Sequence, residues 1–178
     1  MNRLDSKTRA QIINCLIEGC SIRSTVRMTG AAKKTVMRVV VEAGEFCARY
    51  QSDVFRNLNS KRIQVDELWA FVYAKEKNVT YEMKGLHEDA GNIWLWTALD
   101  ADSKIVPSWY LGDRGSKSAF EFMSDLARRL KNRIQLTSDG HNVYRDAVEF
   151  AFGTNVDYSM MIKVFGHDRD QRSPIQPR

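Results

Sequence analysis

The chain has 178 residues, 43% of them apolar, with a formal net charge of +5. That is length for one ordinary domain plus a small one, with apolar content for a real core, which excludes a disordered or fibrous chain. No apolar run is long enough to cross a bilayer and the amino-terminal MNRLDSKTRAQ lacks the apolar segment of a secretory leader, so a cytoplasmic chain with no membrane partner is expected.

Cys15, Cys20 and Cys47 are odd in number and lack CxxC spacing, which reads as small packing residues rather than a disulfide framework or a zinc site. The charge is uneven. Residues 1–64 carry 12 Lys or Arg against 5 Asp or Glu, whereas residues 65–178 carry 15 against 17. A basic front segment ahead of a near-neutral body points to a polyanionic partner for the front, and nucleic acid is the usual one.

In chain order, Ile12, Ile13, Leu16 and Ile17 recur at helical spacing behind Ser6 as N-cap, so a first helix is expected over Ser6 to Glu18. Ser21 caps a second, Ile22 to Met28, and Thr29-Gly30 breaks the chain before a third, Ala31 to Ala43. Residues 1–44 thus read as a helix-turn-helix domain. On the third helix Val36, Val39, Val40 and Ala43 share the inward face, and Lys33, Lys34, Thr35 and Arg38 crowd the start of the outer one. Those types suit base edges and phosphates where a recognition helix enters the major groove. Glu42 to Leu58, with Phe46, Tyr50, Val54 and Leu58 four apart, reads as a further helix, residues 45–60 connecting the two domains.

From Lys61 the apolar period changes to that of strands. Expected strands are Ile63 to Tyr73, Asn92 to Leu99 and Ile105 to Leu111, with a long turn or hairpin over Lys75 to Gly91. A helix from Ser116 to Lys131, a strand from Ile134 to Thr137 and a helix from Asn142 to Phe152 follow. Strand, strand, strand, helix, strand, helix is the order of a ribonuclease-H-like mixed sheet, in which the fourth strand returns parallel beside the first. The fold class expected is therefore α/β of mixed α+β character: a helical amino-terminal domain, then a core over residues 61–166.

Two acids stand out in that core. Asp66 closes an apolar strand in KRIQVDELWAFV, and Asp139 follows another in RIQLTSDGHNVY. A buried charge costs several kcal/mol unless paired or neutralised. Adjacent parallel strands bring the two carboxylates together, where they repel unless a cation lies between them. Hard oxygen ligands without thiolates select Mg²⁺ or Mn²⁺, and such a pair suits phosphoryl transfer on DNA. Asp66 and Asp139 are thus both the catalytic and the metal-holding candidates.

The stretches QVDELWAFV, NIWLWTALDADSKIVPSWYLGDR and RIQLTSDGHNVYRDAVEFAFGTNVDY resemble the catalytic domain of bacterial insertion-sequence transposases of the DDE class, most of all the insertion-sequence-one type. The resemblance implies that Asp66 and Asp139 are the first two acids of a Mg²⁺-binding triad and that the helix-turn-helix binds double-stranded DNA at the transposon terminal repeats. It further implies a nucleoid-associated protein that cleaves and joins DNA strands, partnered by a second copy or a full-length transposase.

The family's third acid is a Glu on a helix after a further strand. Here Ser159 to Phe165 could begin that strand, but HDRDQRSPIQPR follows, without apolar period or Glu. The expectation is a core cut short or shifted out of frame near residue 166, with residues 167–178 a disordered tail and catalysis impaired. The alternative is a non-catalytic DNA-binding remnant that competes at the transposon ends. Glu149, two turns along the helix after Asp139, is a poor substitute, and Asp157, Asp168 and Asp170 remain as other acids. His141 reads as a cap of the following helix, Asp100, Asp102 and Ser103 as a turn, and Trp69, Trp94, Trp96 and Trp109 as core, each lying in an apolar strand.

Overall fold

The computed structural model describes residues 4–162. It is a mixed α/β protein with a five-stranded mixed sheet and, among the described residues, six α-helices; the chain divides after Arg56 into two compact units. The expected tail, the end of the expected core, and Asp168 and Asp170 lie outside the described residues. None of the described helices is long and apolar enough to cross a membrane.

The first unit is three helices: α1 (Ser6–Ile17), α2 (Ile22–Thr29) and α3 (Lys33–Val54). The cap of α1 is Asp5 rather than Ser6. Its carboxylate accepts from the Thr8 amide at 2.9 Å and the Thr8 hydroxyl at 2.7 Å, two donors that satisfy both oxygens where a serine offers one. Ser21 caps α2 through the Ser24 amide at 3.1 Å, and Gly30, at φ 70°, closes it by returning its N–H to the Val26 carbonyl. A left-handed residue there costs glycine nothing. Ile12, Val36 and Val39 are buried with Ala31 between the helices. Val40, expected inward beside them, is exposed.

A break between the third helix and a connecting helix does not occur. α3 runs unbroken for 22 residues through Gly44 to Val54. A lone mid-helix glycine costs about 1 kcal/mol relative to alanine, too little to stop a helix whose start is packed.

The second unit holds β1 (Arg62–Val72), a single 3₁₀ turn (Glu76–Asn78), α4 (Tyr81–Leu86), β2 (Gly91–Asp100), β3 (Ser108–Gly112), α5 (Ser116–Arg129), β4 (Ile134–Asp139), α6 (Val143–Phe152) and β5 (Val156–Met161). The sheet order is β3-β2-β1-β4-β5; β1/β2 and β2/β3 are antiparallel, β1/β4 and β4/β5 parallel. The long turn expected over Lys75 to Gly91 therefore contains two short helical pieces, the second capped by Thr80 on the Met83 amide. β3 begins at Ser108, not Ile105, since Pro107 has no N–H for a ladder and the Ile105 carbonyl is taken by the Asp100 amide at 2.9 Å. The N-cap of α5 is Gly115, without a side-chain cap bond; Asp113 before it accepts from the Gly115 amide and the Ser118 hydroxyl, and Ser116 is already helical. β5 starts at Val156 rather than Ser159, and Val156, Tyr158 and Met160 turn inward on alternate residues.

The core lies between the sheet and helices α5 and α6. Ile63 and Val65 of β1, Trp96 and Ala98 of β2 and Leu136 of β4 meet Phe122, Met123 and Leu126 of α5 and Tyr144, Ala147 and Val148 of α6. Trp96 is its centre. The indole lies 6.0 Å from Phe122 and edge-on to Tyr144 at 5.4 Å, and its N–H donates to the Asp113 carbonyl at 2.9 Å.

Two carboxylates tie the ends of this layer. Asp125 of α5 accepts from the Ser108 hydroxyl at 2.6 Å and the Arg129 guanidinium at 2.7 Å, joining β3 to α5. Asp100 accepts from the amides of Asp102 and Ser103, closing the turn after β2 as its residue types foretell. Burial pushes both carboxyls upward, but hydrogen bonds outweigh it: from Arg129 and Ser108 for Asp125, and from Ser60, Ser103 and Asp102 for Asp100. Each is held below its ordinary value. Their stabilisation is thus present above the unfolded carboxyl range near pH 4 and is lost as pH falls through the lower folded values. Urea midpoints should decline from pH 5 downward, and Asp125→Asn should flatten that decline while costing about 1–2 kcal/mol at pH 7. An unchanged pH profile in the variant would remove Asp125 from this account.

Candidate metal centre

Along the first half of β1 the side chains alternate. Ile63 and Val65 turn into the core, and Gln64 and Asp66 turn to the opposite face. The parallel register with β4 pairs Gln64 with Thr137, so two residues further on each strand Asp66 and Asp139 stand level. β4 ends there. The chain turns through Gly140, and an Asp139 oxygen accepts from the His141 amide at 3.0 Å. Asp66 accepts from the next amide in its own strand, that of Glu67, at 2.8 Å. Both carboxylates open onto a cleft of about 650 Å³ lined also by Gln64, Thr97, Thr137 and Met161.

A third carboxylate joins them. Glu67, next in β1, turns to the helix-covered side, where its side chain is only 1% exposed. One of its oxygens accepts from both Nε and Nη2 of Arg114 at 3.2 Å; the other is buried with no hydrogen-bond partner. The hydroxyl of fully buried Tyr144 has none either. Burial, and after it the Glu67 carboxylate with the charges of Asp139 and Asp66, holds that phenol protonated far above its ordinary range. Asp66, Glu67 and Asp139 each bring an oxygen within 4.8 Å of the other two.

Three negative groups that close repel by on the order of 3 kcal/mol per pair at an effective dielectric constant of about 20, less where Asp66 meets water. The donor set is all carboxylate oxygen, with a buried oxygen left unpaired. These residues fit a hard divalent cation, which both relieves the repulsion and supplies the missing partner.

The structure thus brings together the two acids expected from the sequence and adds Glu67. Glu67 is absent from the candidates of the sequence, where strand alternation sends a residue next to Asp66 to the other face; the visible signal is an Asp-Glu pair where an apolar strand should have neither. The other acids stay apart. Glu149 is exposed on α6, and Asp157 pairs with Arg133 at the opposite end of β4 and β5. His141 does not cap α6: Asn142 holds that position, and the imidazole lies over Trp96 with Nε2 3.2 Å from the Arg114 carbonyl. Of the tryptophans only Trp96 is wholly core, Trp69 and Trp109 being 44% and 45% exposed. In the other unit Lys33, Lys34, Thr35 and Arg38 occupy the first two turns of α3, the three cations exposed and Thr35 half-buried. Arg38 lies 3.8 Å from Glu42, which also pairs with Arg9 at 2.6 Å.

No protein-family model matches the chain, and no curated protein matches it.

A cluster of this kind is a site of stored repulsion, so removing one charge should stabilise the metal-free protein. Asp66→Asn is expected to raise the thermal midpoint in EDTA by about 2–4 °C, the equivalent of about 1 kcal/mol at this size, and to abolish any rise caused by Mn²⁺. A midpoint that falls in EDTA, or a Mn²⁺-dependent rise that persists in the variant, would place the ion elsewhere.

Proposed function

We propose that this protein is a DNA-binding, divalent-metal-dependent phosphodiester transferase of the DDE transposase type. The reading is carried by one observation: the parallel β1/β4 register that sets Asp66, in the middle of β1, beside Asp139 at the carboxyl end of β4. The strand order β3-β2-β1-β4-β5, with the change of sense at β1, supports a ribonuclease-H-like reading of the sheet. The left-handed Gly30 between α2 and α3, with four DNA-suited residues at the start of α3, supports a helix-turn-helix.

In this reading Asp66, Glu67 and Asp139 hold Mg²⁺ or Mn²⁺. Bound there, the ion supplies Lewis acidity at a phosphodiester for attack by water or a 3′-hydroxyl. The chain's own residues do the rest. Asp66 faces the cleft and fixes one side of the site through its bond to the Glu67 amide. Arg114, 43% exposed, pairs with Glu67 and offers a cation to phosphate oxygens. Lys33, Lys34, Thr35 and Arg38 bind duplex DNA, Thr35 and Arg38 toward base edges and the lysines toward phosphates.

Two measurements test the reading. With labelled duplex DNA and Mn²⁺, the protein should nick or join strands, and Asp66→Asn and Asp139→Asn should each lower the rate at least about a hundredfold, as loss of a metal-holding carboxylate does. Cleavage that survives either substitution defeats the assignment; duplex binding without any cleavage makes the chain a DNA-binding protein alone. Separately, Lys34→Ala should weaken duplex binding across sequences and reduce the salt slope by about 1, whereas an unchanged slope would take Lys34 off the phosphate backbone.

A further inference from the structure

Past the acidic cluster, β1 and β2 continue as an arm that, among the described residues, no other strand flanks. β4 pairs only with Arg62–Gln64 and β3 only with Trp94–Ala98, so the pairs from Ala70↔Ile93 to Val72↔Gly91 have no neighbour on either side. An arm in water should be polar. This one carries Trp69, Phe71 and Tyr73, exposed at 44%, 46% and 61%.

These residues are ordered by strand alternation. Glu67, Trp69 and Phe71 fall on one face of β1, at a step of about 6.8 Å for every second residue, opposite Trp96, Trp94 and Asn92 of β2. The row therefore starts at the carboxylate that belongs to the metal-holding cluster and runs outward as rings. Trp69 and Phe71 lie 5.8 Å apart, and Tyr73 beyond them stacks on His87 at 4.2 Å. Cations lie over the same row. The Arg114 guanidinium sits 4.7 Å from the Trp94 ring while bonding Glu67, and the Lys75 ammonium sits 5.3 Å from the Trp69 ring.

We propose that this face of the β1–β2 arm binds unpaired nucleotides, their bases stacked on Trp69 and Phe71 and their phosphates met by Lys75 and Arg114, beside the Glu67 end of the acidic cluster. Flat apolar faces interleaved with cations match a ligand that is both aromatic and anionic along its length, and a single nucleic acid strand is that ligand. A second copy of the chain or an apolar peptide fits less well, since seating it would bury Lys75 and Arg114 without a counter-charge. The duplex shields its base faces by stacking and cannot use such a row. The placement of the row next to the reacting phosphate rests on the proposed function; the binding itself does not.

The test is fluorescence anisotropy of a labelled oligothymidylate of about 12 nucleotides, in EDTA, against the whole chain. Submicromolar to micromolar binding is expected, with quenching of tryptophan emission. Trp69→Ala combined with Phe71→Ala should weaken it at least about tenfold, Trp69→Phe should retain most of it, and duplex binding should be unchanged, because each stacked base contributes a sequence-tolerant increment. Both side chains stand on an arm outside the core, and far-ultraviolet circular dichroism with the urea midpoint checks that the variant folds. Wild-type affinity in the double variant overturns the proposal, as does a wild-type chain that binds no oligothymidylate. A concentration-dependent dimer that the double variant abolishes, without oligothymidylate binding, would make the arm a self-association surface instead. Loss of Mn²⁺-dependent cleavage with oligothymidylate binding intact would count against the proposed function alone.

Discussion

The second unit depends on the position of β1. It is antiparallel to β2 on one side and parallel to β4 on the other, so the sheet changes sense across it. An antiparallel partner comes through a short excursion, but a parallel one requires the chain to cross the sheet, which it does through α5. That crossover covers one face and leaves β4 starting level with β1. The carboxyl end of β4 then stands level with the middle of β1, and whatever residues stand there must meet. Here they are Asp66 and Asp139. The core keeps them in place: Ile63, Val65 and Leu136 are buried on the same strands, and a one-residue slip of β1 would send both of its apolar side chains to the wrong face.

Electrostatics at that point runs against stability. Three carboxylates converge within 4.8 Å, and one oxygen of Glu67 and the Tyr144 hydroxyl are buried without hydrogen bonds. Arg114 offsets part of the charge, and it is itself half in water. Elsewhere in the same unit acids are well served: Asp100, Asp113 and Asp125 each accept two or more hydrogen bonds and are held below their ordinary values. The contrast separates acids that build the fold from acids that the fold tolerates. Unsatisfied polar groups and repelling charges persist where a function uses them, since folding alone selects against both.

The arm beyond the cluster shows the same tension in apolar form. Most exposed apolar residues on a protein surface need no explanation, but a row of rings on one face of a strand pair, with cations over Trp69 and Trp94, is organised by the strand period itself. Trp69 and Trp94 are cross-strand partners on the face that Glu67 and Trp96 occupy one step inward, so one face of β1 and β2 passes from the centre of the core to open solvent.

Much of this was legible in the sequence. The helical period of residues 6–29, the strand runs, the order of the main elements and the presence of two acids in apolar strands all follow from side-chain chemistry acting over a few residues. Caps and boundaries were less so: Asp5 displaces Ser6 because its carboxylate accepts two donors, Asp66 stands in the middle of β1 rather than at the end of a strand, and Gly44 fails to break α3 because packing at its start outweighs a local cost. The tryptophans misled for a related reason, since an apolar strand reads the same whether its neighbours flank it or stop short, and β3 and β4 stop short. Local chemistry thus determined which main elements form and placed Asp66 and Asp139 in two of the strands. Only the tertiary structure decided that Glu67 joins them, that Arg114 covers it, and that Trp69 and Phe71 stand in solvent, because those depend on where neighbouring strands end, a distance between residues far apart in the chain.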